Sequence, residues 1–264
     1  MKATVFLGGG RITGALAAGL RLAGDERRLM AYDRHPEKLR ALRRESRVEA
    51  ASDLKLAVAN AQLLIVAVRP ASVKEMLREV AACGVTPPHR CVSLAAGIPL
   101  ANLRKWLPNV HWARGMPSPV CRIRRGLTPL SFDRTVTRAE RIGIRKMFEQ
   151  VGPVLEIPDS QMDAITATHS PSYGYHALAT LARAAQAAGL ARKTALMAAA
   201  HALSDGIYYW RESGLSLDEL LHEAATPGGI AAAAMTAMDE AGYARVIRIG
   251  VSAGIKRARR NARL

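Results

Sequence analysis

An α/β architecture, a doubly wound parallel sheet followed by an all-α domain, is predicted by three features of this 264-residue sequence. Short β-rich runs alternate with helical patterns through the first half, a glycine triplet follows directly on the first run, and nothing after residue 160 reads as a strand. Such alternation builds parallel strands joined by crossover helices that cover both faces of the sheet. The change of character after Pro158 predicts a first domain over residues 1–158 and a helical second domain over residues 159–264.

In chain order, residues 3–7 predict the first strand, 12–23 a helix, 29–32 a strand and 36–43 a helix. Leu63-Leu64-Ile65-Val66-Ala67-Val68 is a continuous apolar run of buried-strand length, followed by a helical stretch over 71–82 and a strand over 91–94. Further strands are expected at 127–132 and 154–157, with a helix over 137–150 between them. In the second half Leu196, Leu203, Ile207 and Trp210 recur at helical spacing. No low-complexity linker separates the halves.

Composition narrows the functional classes. Hydrophobic residues make up 49% and charged residues 23%, which excludes a disordered chain. The formal charge of +16 raises a nucleic-acid reading, but the arginines are scattered. Their densest run, residues 256–263, reads as a solvated basic helix end that complements the helix dipole. Cys83, Cys91 and Cys121 form no Cys-x-x-Cys pair, which fits a reducing compartment, and the seven histidines form no metal-ligand set. The chain enters an apolar strand at once, without a charged leader or a membrane-spanning apolar run, so a cytoplasmic location is expected.

The segment "TVFLGGGRITGALAAGL" sets Gly8-Gly9-Gly10 between a strand and a helix opening near Arg11. This is the context of a Rossmann-type dinucleotide turn, in which one glycine permits the tight bend, a second lets the backbone approach the pyrophosphate, and helix-terminal N–H groups hold its charge. Gly8 and Gly10 suit the first two roles, and Thr13, followed by Gly14, stands at the third glycine position. About 20 residues on, an acidic side chain binds the ribose hydroxyls of NAD, whereas an arginine accommodates the 2′-phosphate of NADP. "AYDRHPEKL" supplies both, as Asp33 and Arg34, so the sequence leaves NADPH and NADH open.

Six segments in order resemble the pyrroline-5-carboxylate reductase family along essentially the whole chain. They are "FLGGGRITGAL", "VAVRP", "VSLAAGIPL", "RGMPSPVCRIRRGLT", "MDAIT" and "ATPGGIA". The resemblance implies a Rossmann domain, a helical domain that intertwines with a partner subunit as at least a homodimer, and hydride delivery from NADPH or NADH to a cyclic C=N carbon. It places Gly8, Gly10, Arg11 and Ile12 at the cofactor phosphates, Val68, Arg69 and Pro70 along the cofactor, and Met116, Pro117 and Ser118 near the nicotinamide. Thr166 becomes the hydrogen-bond partner of the imine nitrogen, its bland alternative being a hydroxyl bonded to its own helix. Thr226, Gly228, Gly229 and Ile230 become a carboxylate site: the glycines clear space for an anion at a helix start, and Thr226 can serve as its N-cap and as a hydroxyl donor, the bland alternative being a simple turn between helices.

Against the family pattern, Arg11 and Ser118 replace asparagines, Ala231 replaces a threonine, and "HSPSYGY" (169–175) replaces a glycine-rich helix start. His169 and Tyr173 are larger than the residues they replace and are read as reshaping the pocket, as proton donors or as ordinary polar residues. The leading expectation is reduction of pyrroline-5-carboxylate to proline. Reduction of another cyclic imine and a non-catalytic nucleotide-binding paralogue are the alternatives. A hydroxyacid dehydrogenase, which would resemble a lysine-dependent catalyst on the long connecting helix, ranks lower because residues 159–192 contain no lysine.

Overall fold

The computed structural model describes residues 2–263. The described parts of 1–169 and 253–264 form one compact unit and 170–252 a second. The first unit is built on an eight-stranded sheet: β1 (Ala3–Leu7), β2 (Leu29–Tyr32), β3 (Glu49–Ala50), β4 (Ala61–Val66), β5 (Arg90–Ser93), β6 (His111–Gly115), β7 (Thr128–Phe132) and β8 (Val154–Glu156). Their spatial order is β3-β2-β1-β4-β5-β6-β7-β8. The chain adds strands outward in one direction up to β3 and in the other from β4 onward, so the crevice beyond the carboxyl ends of β1 and β4 is the topological switch point at which such sheets bind ligands.

All pairings are parallel except β6 with β7, which run antiparallel. The doubly wound parallel sheet expected from the sequence is thus present, with this one antiparallel pair. The stretch between β6 and β7 carries Pro117, Pro119 and Gly126 and folds only a 3-10 turn over Pro119–Ile123. With no crossover helix, the chain must turn back along β6.

Seven helices cover the sheet: α1 (Arg11–Leu22), α2 (Pro36–Ser46), α3 (Leu54–Asn60), α4 (Pro70–Ala82), α5 (Leu100–Trp106), α6 (Arg138–Glu149) and α7 (Met162–Thr168). Pro36 and Pro70 each start a helix in its first turn, where a missing N–H is harmless. Thr137 and Glu140 close a reciprocal capping box on α6. Val58, Val73, Leu77 and Leu103 join one core, and Leu16, Leu20, Leu42, Ile144 and Phe148 the other. Central β1 is buried along its whole length, as a strand covered on both sides must be.

The second unit contains α8 (Ser172–Ala187), α9 (Arg192–Ser213), α10 (Leu217–Ala224), α11 (Ile230–Glu240) and the first part of α12 (Tyr243–Asn261). The last turns of α12 belong to the first unit. Gly97 (φ +79) lies so close to the Ala258 carbonyl that a Cβ there would sit 2.1 Å from its oxygen. Asn102 Nδ2 donates to Ala262 O (2.8 Å), and Asn261 Nδ2 donates to Ala96 O (3.1 Å). Among the described residues, no helix is long and apolar enough to cross a membrane.

Candidate functional site

The site grows from the end of β1. Gly8 adopts φ +112, and a Cβ there would lie 2.8 Å from the Ala67 carbonyl oxygen beside β4. Only glycine fits both the dihedral and that approach. Thr13, fully buried on α1, donates its hydroxyl to Gly8 O (2.6 Å), so the threonine at the third motif position braces the turn. Gly10 is the N-cap of α1, and a Cβ placed on it meets nothing within 4 Å. Open space therefore lies before the amides of Arg11 and Ile12, which as first-turn groups have no intrahelical partner. This cradle fits a pyrophosphate, held by backbone N–H groups and the helix dipole. Val68, Arg69 and Pro70 follow β4 on the other side of the switch point.

Asp33, at the end of β2, is committed to the turn itself. Gly9 N–H donates to its Oδ2 (2.7 Å), His35 N–H to its Oδ1 (2.9 Å), and the Lys38 ammonium lies 3.3 Å and 3.4 Å from the two oxygens. Burial acts to raise its pKa, but the Gly9 and His35 amides and Lys38 outweigh burial and hold it below the usual aspartate value. Arg34 pairs with Glu79 on α4. Lys38 was not singled out in the sequence, although its place one turn into α2, five residues after Asp33, was the available signal.

Beyond β6, the chain 116–118 is fixed from several sides. Met116 N–H donates to Pro129 O (3.0 Å) and Ser118 N–H to Leu127 O (3.1 Å). The Ser118 hydroxyl is buried and accepts from Val120 N–H (3.4 Å), capping the 3-10 turn. Arg114, in β6 and 1% exposed, donates from Nη1 to Asp159 Oδ1 (2.6 Å), with Nη2 3.7 Å from Asp163 Oδ1 at the start of α7. Asp159 also accepts from Leu100 N–H (3.0 Å). Thr166, half-buried on α7, donates its hydroxyl to Met162 O (2.6 Å), the self-bonded geometry weighed above. His169 follows α7, its Nδ1 2.8 Å from Ile165 O and its Nε2 2.8 Å from Met116 O. Gly8, Gly10, Arg11, Ile12, Asp33, Arg34, Val68, Arg69, Pro70, Met116, Pro117, Ser118 and Thr166 therefore all belong to the first unit.

Thr226, Gly228, Gly229 and Ile230 lie in the second unit. Here one expectation is corrected: Gly229, not Thr226, is the N-cap of α11, without a side-chain cap bond. The Pro-Gly turn explains this. Gly228 adopts φ +75, Gly229 N–H closes onto Thr226 O (2.9 Å), and the Thr226 hydroxyl points back to Glu223 O (3.4 Å). The Gly229 amide is thus spent in the turn, and the first amide of α11 belongs to Ile230, whose side chain is 92% exposed.

Other chemistry is sparse. Burial raises the Cys91 thiol well above its ordinary range and the Cys121 thiol to about 12, which removes both as nucleophiles. Among the described residues, no three His, Cys, Asp or Glu side chains are grouped to hold a metal ion. A 340 Å³ cavity beside Phe132, Arg141, Glu156 and Pro158 sits at the β8 edge, far along the sheet from the glycine turn, and its Arg141 and Glu156 pair with each other.

Residues 159–261 match the family described as pyrroline-5-carboxylate reductase dimerisation, and residues 4–97 that described as NADP oxidoreductase, coenzyme F420-dependent. Pyrroline-5-carboxylate reductase of Mycobacterium leprae is 30% identical, over 96% of this chain and 94% of its own length. The enzyme of Pseudomonas aeruginosa is 26% identical with the same coverage. Among solved structures, pyrroline carboxylate reductase of Plasmodium falciparum with NADP bound has a TM-score of 0.88 at 18% identity, covering 99% of this chain and 98% of its own. The Coxiella burnetii protein has a TM-score of 0.87 at 22% identity, with the same coverage.

Proposed function

The chain belongs to the pyrroline-5-carboxylate reductase family, and from that premise we propose that it catalyses the NAD(P)H-dependent reduction of pyrroline-5-carboxylate to proline. The dihydronicotinamide, when bound, supplies the hydride. The Gly8–Gly10 turn and the Arg11 and Ile12 amides would hold the cofactor's pyrophosphate, Val68, Arg69 and Pro70 would flank it, and Met116, Pro117 and Ser118 would border its nicotinamide.

One observation carries the mechanism: the Thr166 hydroxyl has its hydrogen committed to Met162 O, leaving lone pairs on Oγ1. An oxygen so oriented accepts. The substrate it suits is the protonated imine, whose N–H donates to Oγ1 while the C=N carbon, already electrophilic, faces the hydride donor. A hydride supplied to that carbon would move the C=N electron pair onto nitrogen and give the secondary amine, so the chemistry would ask no proton of the protein. Orientation then supplies much of the acceleration. Taken by itself, the Thr226–Ile230 turn reads as a carboxylate site, where the Ile230 amide opens α11 and the Thr226 hydroxyl can turn toward an anion.

A homodimer follows from the helical unit. Ile207, Tyr208, Tyr209 and Trp210 on α9 are all between 46% and 68% exposed in the single chain, an apolar and aromatic run that calls for a second copy. The match of residues 159–261 to a dimerisation family supports the same conclusion.

The deciding experiment follows NADPH and NADH oxidation with pyrroline-5-carboxylate and with six-membered cyclic imino acids, in the wild type, Thr166→Ser and Thr166→Ala. The five-membered substrate should turn over. Thr166→Ser should stay close to wild type, while Thr166→Ala should lose roughly 10- to 100-fold in kcat/KM, the value of a hydrogen bond to a charged group. Cofactor binding without turnover of any imine would overturn the assignment and favour the regulatory paralogue.

A further inference from the structure

We infer that His169 is a positioning residue for hydride transfer, a clamp that fixes the Thr166-bearing helix against the strand-end loop at Met116; the inference rests on the reductase reading above. Both ring nitrogens are occupied by backbone oxygens, Nδ1 by Ile165 O and Nε2 by Met116 O, each at 2.8 Å. A neutral imidazole donates to one of the two and a doubly protonated ring to both. In either state no ring N–H remains for a substrate. This removes the proton-donor role, which the iminium chemistry does not require.

What the ring joins gives the clamp its function. Ile165 O lies at the end of α7, where it also receives the His169 amide (2.9 Å). Met116 is 7% exposed, and its N–H is already held by Pro129 O, so with the ring proton on Nε2 His169 donates to its carbonyl and fixes the peptide from both sides. Thr166 precedes His169 by three residues, so the two share a helix face. The opposite end of α7 has its own tether: Arg114, two residues before Met116, reaches Asp159 and Asp163. Helix α7 is thus tied to the same strand end at both of its termini. Two ties fix its axial position and its rotation, the degrees of freedom that set the distance from Thr166 Oγ1 to the nicotinamide side. The imidazole standing at residue 169, away from the family's glycine-rich pattern, therefore performs work that the rewritten 169–175 segment would otherwise leave undone.

The test compares wild type, His169→Ala and His169→Gln by steady-state kinetics, by the primary isotope effect with 4-deuterated NADPH, by nucleotide affinity and by hydrogen exchange across residues 114–120. His169→Ala should lower kcat by roughly 10- to 100-fold, the effect of a displacement near 1 Å, while KM for the imine and NADPH affinity stay within about threefold. The isotope effect on kcat should rise as hydride transfer becomes limiting. His169→Gln keeps an N–H within reach of Met116 O and should recover most of kcat. A kcat for His169→Ala within about twofold of wild type would reduce the residue to a stability role, and equal inactivity of both variants would restore the proton donor; either overturns the inference. If the wild type itself fails to reduce pyrroline-5-carboxylate, the reductase reading falls separately. The clamp is then judged by exchange: faster uptake at 114–120 in His169→Ala supports it, and unchanged uptake overturns it.

Discussion

Replacing Arg114 by methionine tests whether the tether between β6 and α7 stabilises the first unit. The guanidinium side chain is 2% exposed, whereas Asp159 and Asp163 are each 26% exposed. Breaking a fully buried pair costs about 3–5 kcal/mol because a charge is left without its partner. Here three features lower that figure. Water reaches both carboxylates, and Asp159 keeps the Leu100 amide. Arg114 also carries buried Nε and Nη2 groups without a hydrogen-bond partner, a burden that methionine removes. The expected loss is therefore about 2 kcal/mol, or roughly 4–8 °C in Tm for a chain of this size. Thermal unfolding at fixed protein concentration, needed because association shifts Tm, reads it directly. A cycle with Asp159→Asn should return a coupling of about 1–3 kcal/mol, and Asp163→Asn a smaller one, given its 3.7 Å separation. A Tm for Arg114→Met within about 1 °C of wild type, or a cycle with no coupling, would refute the reasoning.

Four further outcomes follow from the same geometry. Gly8→Ala should cost about 2–3 kcal/mol and abolish tight nucleotide binding, because its Cβ would press on the Ala67 backbone at a φ of +112. Gly10→Ala, with open space at its Cβ, should leave Tm nearly unchanged yet weaken NADPH in a fluorescence titration, and unaltered NADPH binding would remove the pyrophosphate from that place. Because Asp33 is already bonded to Gly9, His35 and Lys38, its charge is offset where a 2′-phosphate would approach; Lys38→Met should therefore weaken NADPH relative to NADH by about five- to tenfold, measured as a ratio of dissociation constants. In Asp25, burial is outweighed by its bonds to Arg27, so it joins Asp33 in having a lowered folded-state pKa. Their contribution is present above the ordinary carboxylate value near pH 4 and is lost as pH falls through the lowered folded values. Unfolding midpoints should therefore drop on the acid side, and Asp33→Asn should flatten part of that limb.

What the sequence made legible was local. A strand, a Gly8–Gly10 turn and a helix lie within one short window, so their pattern is complete before any tertiary contact is known. The apolar run 63–68 was read two residues too far, because the strand ends at Val66 and frees the Ala67 carbonyl to lie against Gly8. Strand β6 escaped notice for the opposite reason. Its Arg114 breaks the apolar pattern, and the Asp159 that allows an arginine to be buried lies 45 residues away. Strand β3, with two residues, and helices α3 and α5, with seven each, are too short to display a period. For the candidate site, the sequence named residues but not their hydrogen-bond commitments. Asp33 and His169 are set by backbone partners that no spacing rule reports.

The return of α12 to the first unit ties folding to the order of synthesis. Residues 253–263 leave the ribosome only after the whole helical unit has been made, yet Ala258, Asn261 and Ala262 cover the turn at Gly97 and satisfy Asn102. Until then the turn that follows interior strand β5 lacks its cover. A message broken before codon 253 would leave that turn permanently bare. The covered turn thus distinguishes a chain translated through both units from one that stopped between them.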